Sequence, residues 1–202
     1  MLTDLQLLRL VKDGYEEKTS VVKELEYSVY QYDDCQVIVI RGTEITGTEE
    51  DGLLGRIKNL RDVIRDIRIL PWKIKGMPWG HSGFVKGARD VLEHSMPRHL
   101  KYDKPIICTG HSLGGAIALA LGVFLKKLDN KQSVQVVTFG APRVFLFKQK
   151  INAVMYRNGK DIVSTVPYGR HPVKQTRVGK VTTWLPCVKD HFLSKYIGSK
   201  LK

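Results

Sequence analysis

Apolar positions recur along this chain with two different periods. Residues 2–12 repeat them at helical spacing, with Leu2, Leu5, Leu8 and then Leu10 or Val11, which predicts an N-terminal helix capping the core. Between Glu24 and Tyr32 the period falls to two, Leu25, Tyr27 and Val29 alternating with polar residues. Gln36 to Arg41 carries the unbroken apolar run Val37-Ile38-Val39-Ile40, and Asp33-Asp34 between the two stretches predicts a hairpin turn. Gly42-Thr43 ends this second strand.

The middle of the chain alternates strand-like and helix-like stretches. His81-Ser82-Gly83 opens a helix running to about His94. Pro105 to Thr109 is apolar and strand-like, and the small-residue run from Ala116 to Leu121 starts a helix that continues to about Lys127. Val134 to Phe139 and Ala153 to Arg157 are further strands, and Val173 to Trp184 reads as a hairpin turning near Gly179. A short helix follows Asp190-His191. Such alternation predicts an α/β fold, a mostly parallel sheet with helices on both faces. Residues 44–80 are the least regular. They begin turn-rich and pass through Leu53 to Leu70, where apolar residues are interleaved with Arg56, Lys58, Arg61, Arg65 and Arg68.

Composition narrows this picture. With 202 residues, 43% of them hydrophobic, and no evident linker or internal repeat, one domain over 1–202 is expected. The first residues lack a basic region ahead of an apolar run, and no stretch nears the ~18 apolar residues of a membrane span. A reducing, cytoplasmic setting or a peripheral place at a membrane is therefore expected. Three widely spaced cysteines, Cys35, Cys108 and Cys187, argue against a disulfide framework or a cysteine-rich metal site. The net charge of +13 suggests an anionic partner, either phospholipid or nucleic acid, but no nucleic-acid-binding module is visible.

The chemistry lies in Gly110-His111-Ser112-Leu113-Gly114-Gly115. A serine on a sharp turn between a strand and a helix is a nucleophile elbow, and the flanking glycines make room for its strained backbone. The Leu113 amide then falls at a helix N-terminus, where it can hold developing negative charge. A serine nucleophile needs a base and a carboxylate that orients the base, in the chain order Ser, Asp or Glu, His on such a sheet. Asp161, in a loop after a predicted strand, is the best acid, with Asp190 its rival. His191, late in the chain before a helix, is the best base. His171 is its rival, while His81 and His111 come too early in the order.

Several separated motifs resemble the class 3 lipase family, the α/β-hydrolases that include fungal triacylglycerol lipases and feruloyl esterases. Val37 to Thr43 is similar to its strand ending in Arg-Gly-Ser/Thr, and His81-Ser82-Gly83-Phe84 to its His-x-Gly-Phe helix start. Gly110 to Gly115 is similar to its elbow and Thr138 to Val144 to its Thr-Phe-Gly-x-Pro-Arg-Val segment. Asn158 to Val163 with Val166-Pro167, and Val188 to His191, are similar to its acid and Asp-His segments. The resemblance covers roughly residues 35–195. It implies an α/β-hydrolase fold, nucleophile Ser112, acid Asp161, base His191, and an oxyanion hole from the Thr43 and Leu113 amides. The implied activity is hydrolysis of lipid-like carboxylic esters, or alternatively that of a phospholipase or acyltransferase on anionic membranes. A non-catalytic binding module of the same fold is the reading from another class. No metal or organic cofactor is implied. In fungal relatives a helical lid follows the oxyanion residue, so the resemblance implies a lid or flap at 44–80; its basic amphipathic pattern suits either a membrane interface or a core-packing helix with a solvated charged face.

Overall fold

A computed structural model describes residues 2–16, 20–22, 25–42, 70–95, 100–101, 103–181, 185, 187, 189–199 and 201. Residues 44–69, most of the expected lid and its amphipathic stretch up to Leu70, lie outside the described residues, as does Thr43.

The described elements run α1 (Asp4–Asp13), β1 (Ser20–Val22), β2 (Leu25–Gln31), β3 (Gln36–Ile40), β4 (Pro71–Trp72), β5 (Gly80–His81), α2 (Ser82–Ser95), β6 (Ile106–His111), α3 (Ser112–Leu128), β7 (Val134–Phe139), β8 (Asn152–Asn158), β9 (Thr176–Val178) and α4 (Leu193–Ile197). Seven strands form one sheet in the order β1-β2-β3-β6-β7-β8-β9, and β4 pairs with β5 separately. β1, β2 and β3 are antiparallel neighbours, while β3, β6, β7, β8 and β9 run parallel.

Strands buried on both faces read as continuous apolar runs, and β3 shows why. Ile38 and Ile40 face a core shared with α2 and α3, whereas Val37 and Val39 face a second core shared with α1 and Tyr196 of α4. α3 is buried almost all round from Ser112 to Leu125, as its apolar circumference requires. α1 starts from a capping box in which Thr3 and Gln6 exchange hydrogen bonds.

Three local details differ from the sequence reading or add to it. On α1 the buried stripe is Leu7, Leu8 and Val11, which share one helix face against the sheet, and Leu5 lies off that face and is exposed. β6 continues through Gly110 to His111, its ladder with β7 extending to the pair His111 and Phe139. Thr176–Val178 is the edge strand β9, paired parallel to β8, a pairing the sequence did not indicate. The returning arm falls partly at 182–184, outside the described residues.

Candidate active site

The parallel strands deliver their C-terminal ends to one edge of the sheet, where ligand-facing residues collect. Ser112 follows β6 there, Gly140 follows β7 and Asp161 follows β8. Ser112 has φ 54°, and among the described residues it is the one non-glycine residue with positive φ. Such a conformation costs on the order of 1–3 kcal/mol and persists only where packing over-determines it. That packing comes from glycine. A Cβ on Gly114 would lie 2.1 Å from the carbonyl oxygen of Ile40, and one on Gly110 would lie 2.5 Å from the backbone of Gly114. The first turn of α3 therefore sits directly on the ends of β6 and β3.

His191 closes the site from the other end of the chain. Its Nε2 is 2.8 Å from Ser112 Oγ and its Nδ1 is 2.9 Å from Asp161 Oδ2. An ionised carboxylate only accepts, so Nδ1 carries the proton and Nε2 is left to accept from the serine hydroxyl. Asp161 and His191 are fully buried, and Ser112 is 4% exposed. Burial opposes charge on Asp161. The adjoining His191 ring and hydrogen bonds from His191 and Tyr196 outweigh it, holding the carboxyl below its ordinary range. Asp161 Oδ2 also accepts from the Tyr196 hydroxyl at 2.7 Å, and Oδ1 accepts from the Val163 amide at 2.9 Å.

Each expected site residue has a definite place except one. Ser112, His191 and Asp161 come together, and Leu113 lies in the first turn of α3. That helix has no side-chain cap, so its N-terminal amides keep donors that no cap consumes. Thr43 is outside the described residues. Its neighbour Gly42 packs at the elbow, where a Cβ would stand 2.6 Å from the His111 carbonyl oxygen. The rivals lie elsewhere. Asp190 Oδ2 accepts from the Lys160 amide at 2.7 Å, bracing the turn before Asp161, and His171 donates from Nε2 to the Ser164 carbonyl at 2.8 Å.

Sequence reasoning overlooked three supporting groups. His111 is buried and stacks on His191 with ring centroids 4.7 Å apart, and its Nε2 donates to the His191 carbonyl at 2.7 Å. Burial and the neighbouring His191 push its pKa down to about 3, so it stays neutral beside that ring. Tyr196 donates to Asp161, and burial together with that carboxylate raises its pKa well above the usual phenol value. Gly140 has φ 64°, and a Cβ there would stand 3.0 Å from both Asp161 Oδ2 and His191 Cε1. The position of His111 beside Ser112, and of Gly140 within the Thr138–Val144 motif, offered a signal but no role. Tyr196 and Gly140 are joined to the site by tertiary packing alone.

A mostly parallel sheet flanked by helices, with a serine on a strained strand-to-helix turn, defines an α/β-hydrolase fold. The chain belongs to the lipase (class 3) family, whose model matches residues 14–171, a span holding Ser112 and Asp161 and ending before His191. It is 34% identical over 123 residues to the lipase ZK262.3 of Caenorhabditis elegans, an alignment covering 59% of this chain. The chain spans 30% of the length of that relative. Among solved structures it is similar to the Lip2 lipase of Yarrowia lipolytica, with a TM-score of 0.56 and 20% identity over 93% of this chain and 81% of that one. It also resembles a triacylglycerol lipase of Penicillium expansum, with a TM-score of 0.55 and 17% identity over 89% of this chain and 79% of that one.

Proposed function

We propose that the chain is a serine carboxylic-ester hydrolase acting on lipid-like esters. The relay from Ser112 Oγ through His191 to Asp161, at 2.8 and 2.9 Å, carries this reading. Ser112 Oγ attacks the ester carbonyl carbon while His191 Nε2 takes its proton. Asp161 holds the ring in the tautomer with Nδ1 protonated and stabilises the imidazolium that forms. The tetrahedral oxyanion rests on the Leu113 amide and, as the family resemblance implies, on the Thr43 amide. His191 then protonates the departing alkoxide, and water, activated the same way, cleaves the acyl-enzyme.

The substrate class rests on the family and on exposed apolar residues in the expected lid segment. Exposed Leu70, Trp72 and Trp79 belong to the C-terminal part of the segment we assign as the lid, and would help receive an acyl chain. The test is hydrolysis of p-nitrophenyl esters of graded chain length, alongside tributyrin. Rates that rise from acetate to a medium or long chain are expected. A preference for acetate that vanishes with each added methylene would place the substrate outside lipids.

A further inference from the structure

A second site lies beside the acid loop. A cavity of about 640 Å³ is lined by Arg143, Lys148, Arg170 and Lys174, with His171 between them and Phe147 and Tyr168 at its rim. That volume falls within the range of small-ligand sites. Among the described residues none of the four cations has a carboxylate partner in an ion pair. Like charges gathered around one concavity repel, and an anion seated there relieves that repulsion.

The cavity is held by the fold. Phe145 bridges Gly80 on one side and Arg170 on the other. The Arg170 amide donates to the Phe145 carbonyl at 2.8 Å and the Arg143 amide to the Val166 carbonyl at 2.8 Å. His81 Nε2 donates to the Tyr168 carbonyl at 2.6 Å, pinning the rim to the start of α2. His171 spends its Nε2 proton on Ser164, and its buried Nδ1 has no hydrogen-bond partner. A protonated phosphate oxygen or a head-group hydroxyl satisfies such a nitrogen.

The rim identifies the setting of the anion. Phe147 is 64% exposed and Tyr168 is 83% exposed. The Leu146 amide donates to the Trp79 carbonyl, which brings exposed Trp79 next to this segment. Trp72 is exposed on the adjoining β4–β5 pair, with the Lys86 ammonium over its ring at 4.2 Å. Aromatic rings beside lysine and arginine suit the boundary between lipid head groups and acyl chains.

We propose that this cavity binds the phosphate of an anionic phospholipid at a membrane surface, docking the protein with its catalytic edge toward the lipid. The proposal rests on the lipid-ester reading for its biological sense, but its test is binding alone and needs no turnover. Sedimentation with vesicles of phosphatidylcholine, and of equimolar phosphatidylcholine and phosphatidylglycerol, is measured for the Ser112→Ala protein at low and physiological salt. Two charge reversals at the cavity, Arg170→Glu and Lys174→Glu, are compared with Lys127→Glu in the last turn of α3 and Lys131→Glu in the turn after it, which change the net charge equally. Circular dichroism melting checks that each variant is folded.

The expected result is a preference for the anionic vesicles that weakens with salt. The cavity pair should lose at least tenfold in binding, at roughly fivefold per cation, while the control pair stays within about twofold. Equal losses from the two pairs, or equal binding to the two vesicles, would overturn the proposal. So would saturable binding of inorganic phosphate without any vesicle preference, which would assign the cavity to a soluble phosphate ligand. Retention on single-stranded RNA without vesicle binding would assign it to nucleic acid.

Discussion

Three donors converge on the Asp161 carboxylate: His191 Nδ1 and the Tyr196 hydroxyl at Oδ2, and the Val163 amide at Oδ1. An asparagine side chain has only one accepting oxygen, so in either orientation its amide group meets a donor. Asp161→Asn should therefore present the base in the wrong tautomer, lowering kcat by roughly 10⁴ with KM little changed. Asp190→Asn keeps an acceptor for the Lys160 amide and should cost less than about tenfold. Steady-state kinetics on one soluble ester decides, and the reverse ranking would move the acid to Asp190. Chain order and loop placement single out Asp161 and His191 in the sequence because they depend on where strands end. The roles of His111, Tyr196 and Gly140 were not legible, since each depends on which side chains meet after the sheet has formed.

At the scale of elements, the β6–α3 junction concentrates the strain. α3 begins on the serine itself, and Gly114 carries its first turn onto the end of β3. Gly114→Ala would drive a methyl group into the Ile40 carbonyl, and backbone on both sides resists moving. The expected cost is about 3 kcal/mol or more, a fall in Tm on the order of 6–12 °C. Activity should fall further than stability, because the same shift moves Ser112 and the Leu113 amide. Thermal melting and kinetics on the same preparation check this, and an unchanged Tm would refute the close packing. The central strands were legible because strands buried on both faces leave long apolar runs. The parallel pairing of β9 was not legible, because a three-residue edge strand leaves no periodic signature and nothing in its own residues points to β8.

The whole molecule carries this site as a pH liability. His111 is held neutral with its pKa near 3, against an ordinary value of 6.5. Below 6.5 the unfolded chain takes up a proton that the folded chain refuses, so stability falls as pH drops, by up to ~1.4 kcal/mol per unit, until about pH 3. His171, also lowered by burial, acts with the same sign. Asp161 contributes in a lower window. Its folded value is depressed, so its stabilisation is present above the ordinary carboxyl value of 3.8 and lost as pH falls through the folded one. Urea unfolding between pH 7.5 and pH 4 should show this slope in the parent. His111→Phe keeps a flat ring against His191, loses about 1 kcal/mol at neutral pH with its hydrogen bond, and should decline less steeply below 6.5. Parallel slopes would remove His111 as the cause.

Reaction with a fluorophosphonate probe, followed by peptide mapping, addresses the proposed nucleophile most directly. The parent protein should carry a single adduct on Ser112, His191→Ala should label slower by several orders of magnitude, and Ser112→Ala should neither label nor hydrolyse esters while keeping its fold. Labelling at another residue, or Ser112→Ala activity within tenfold of the parent, would contradict the account.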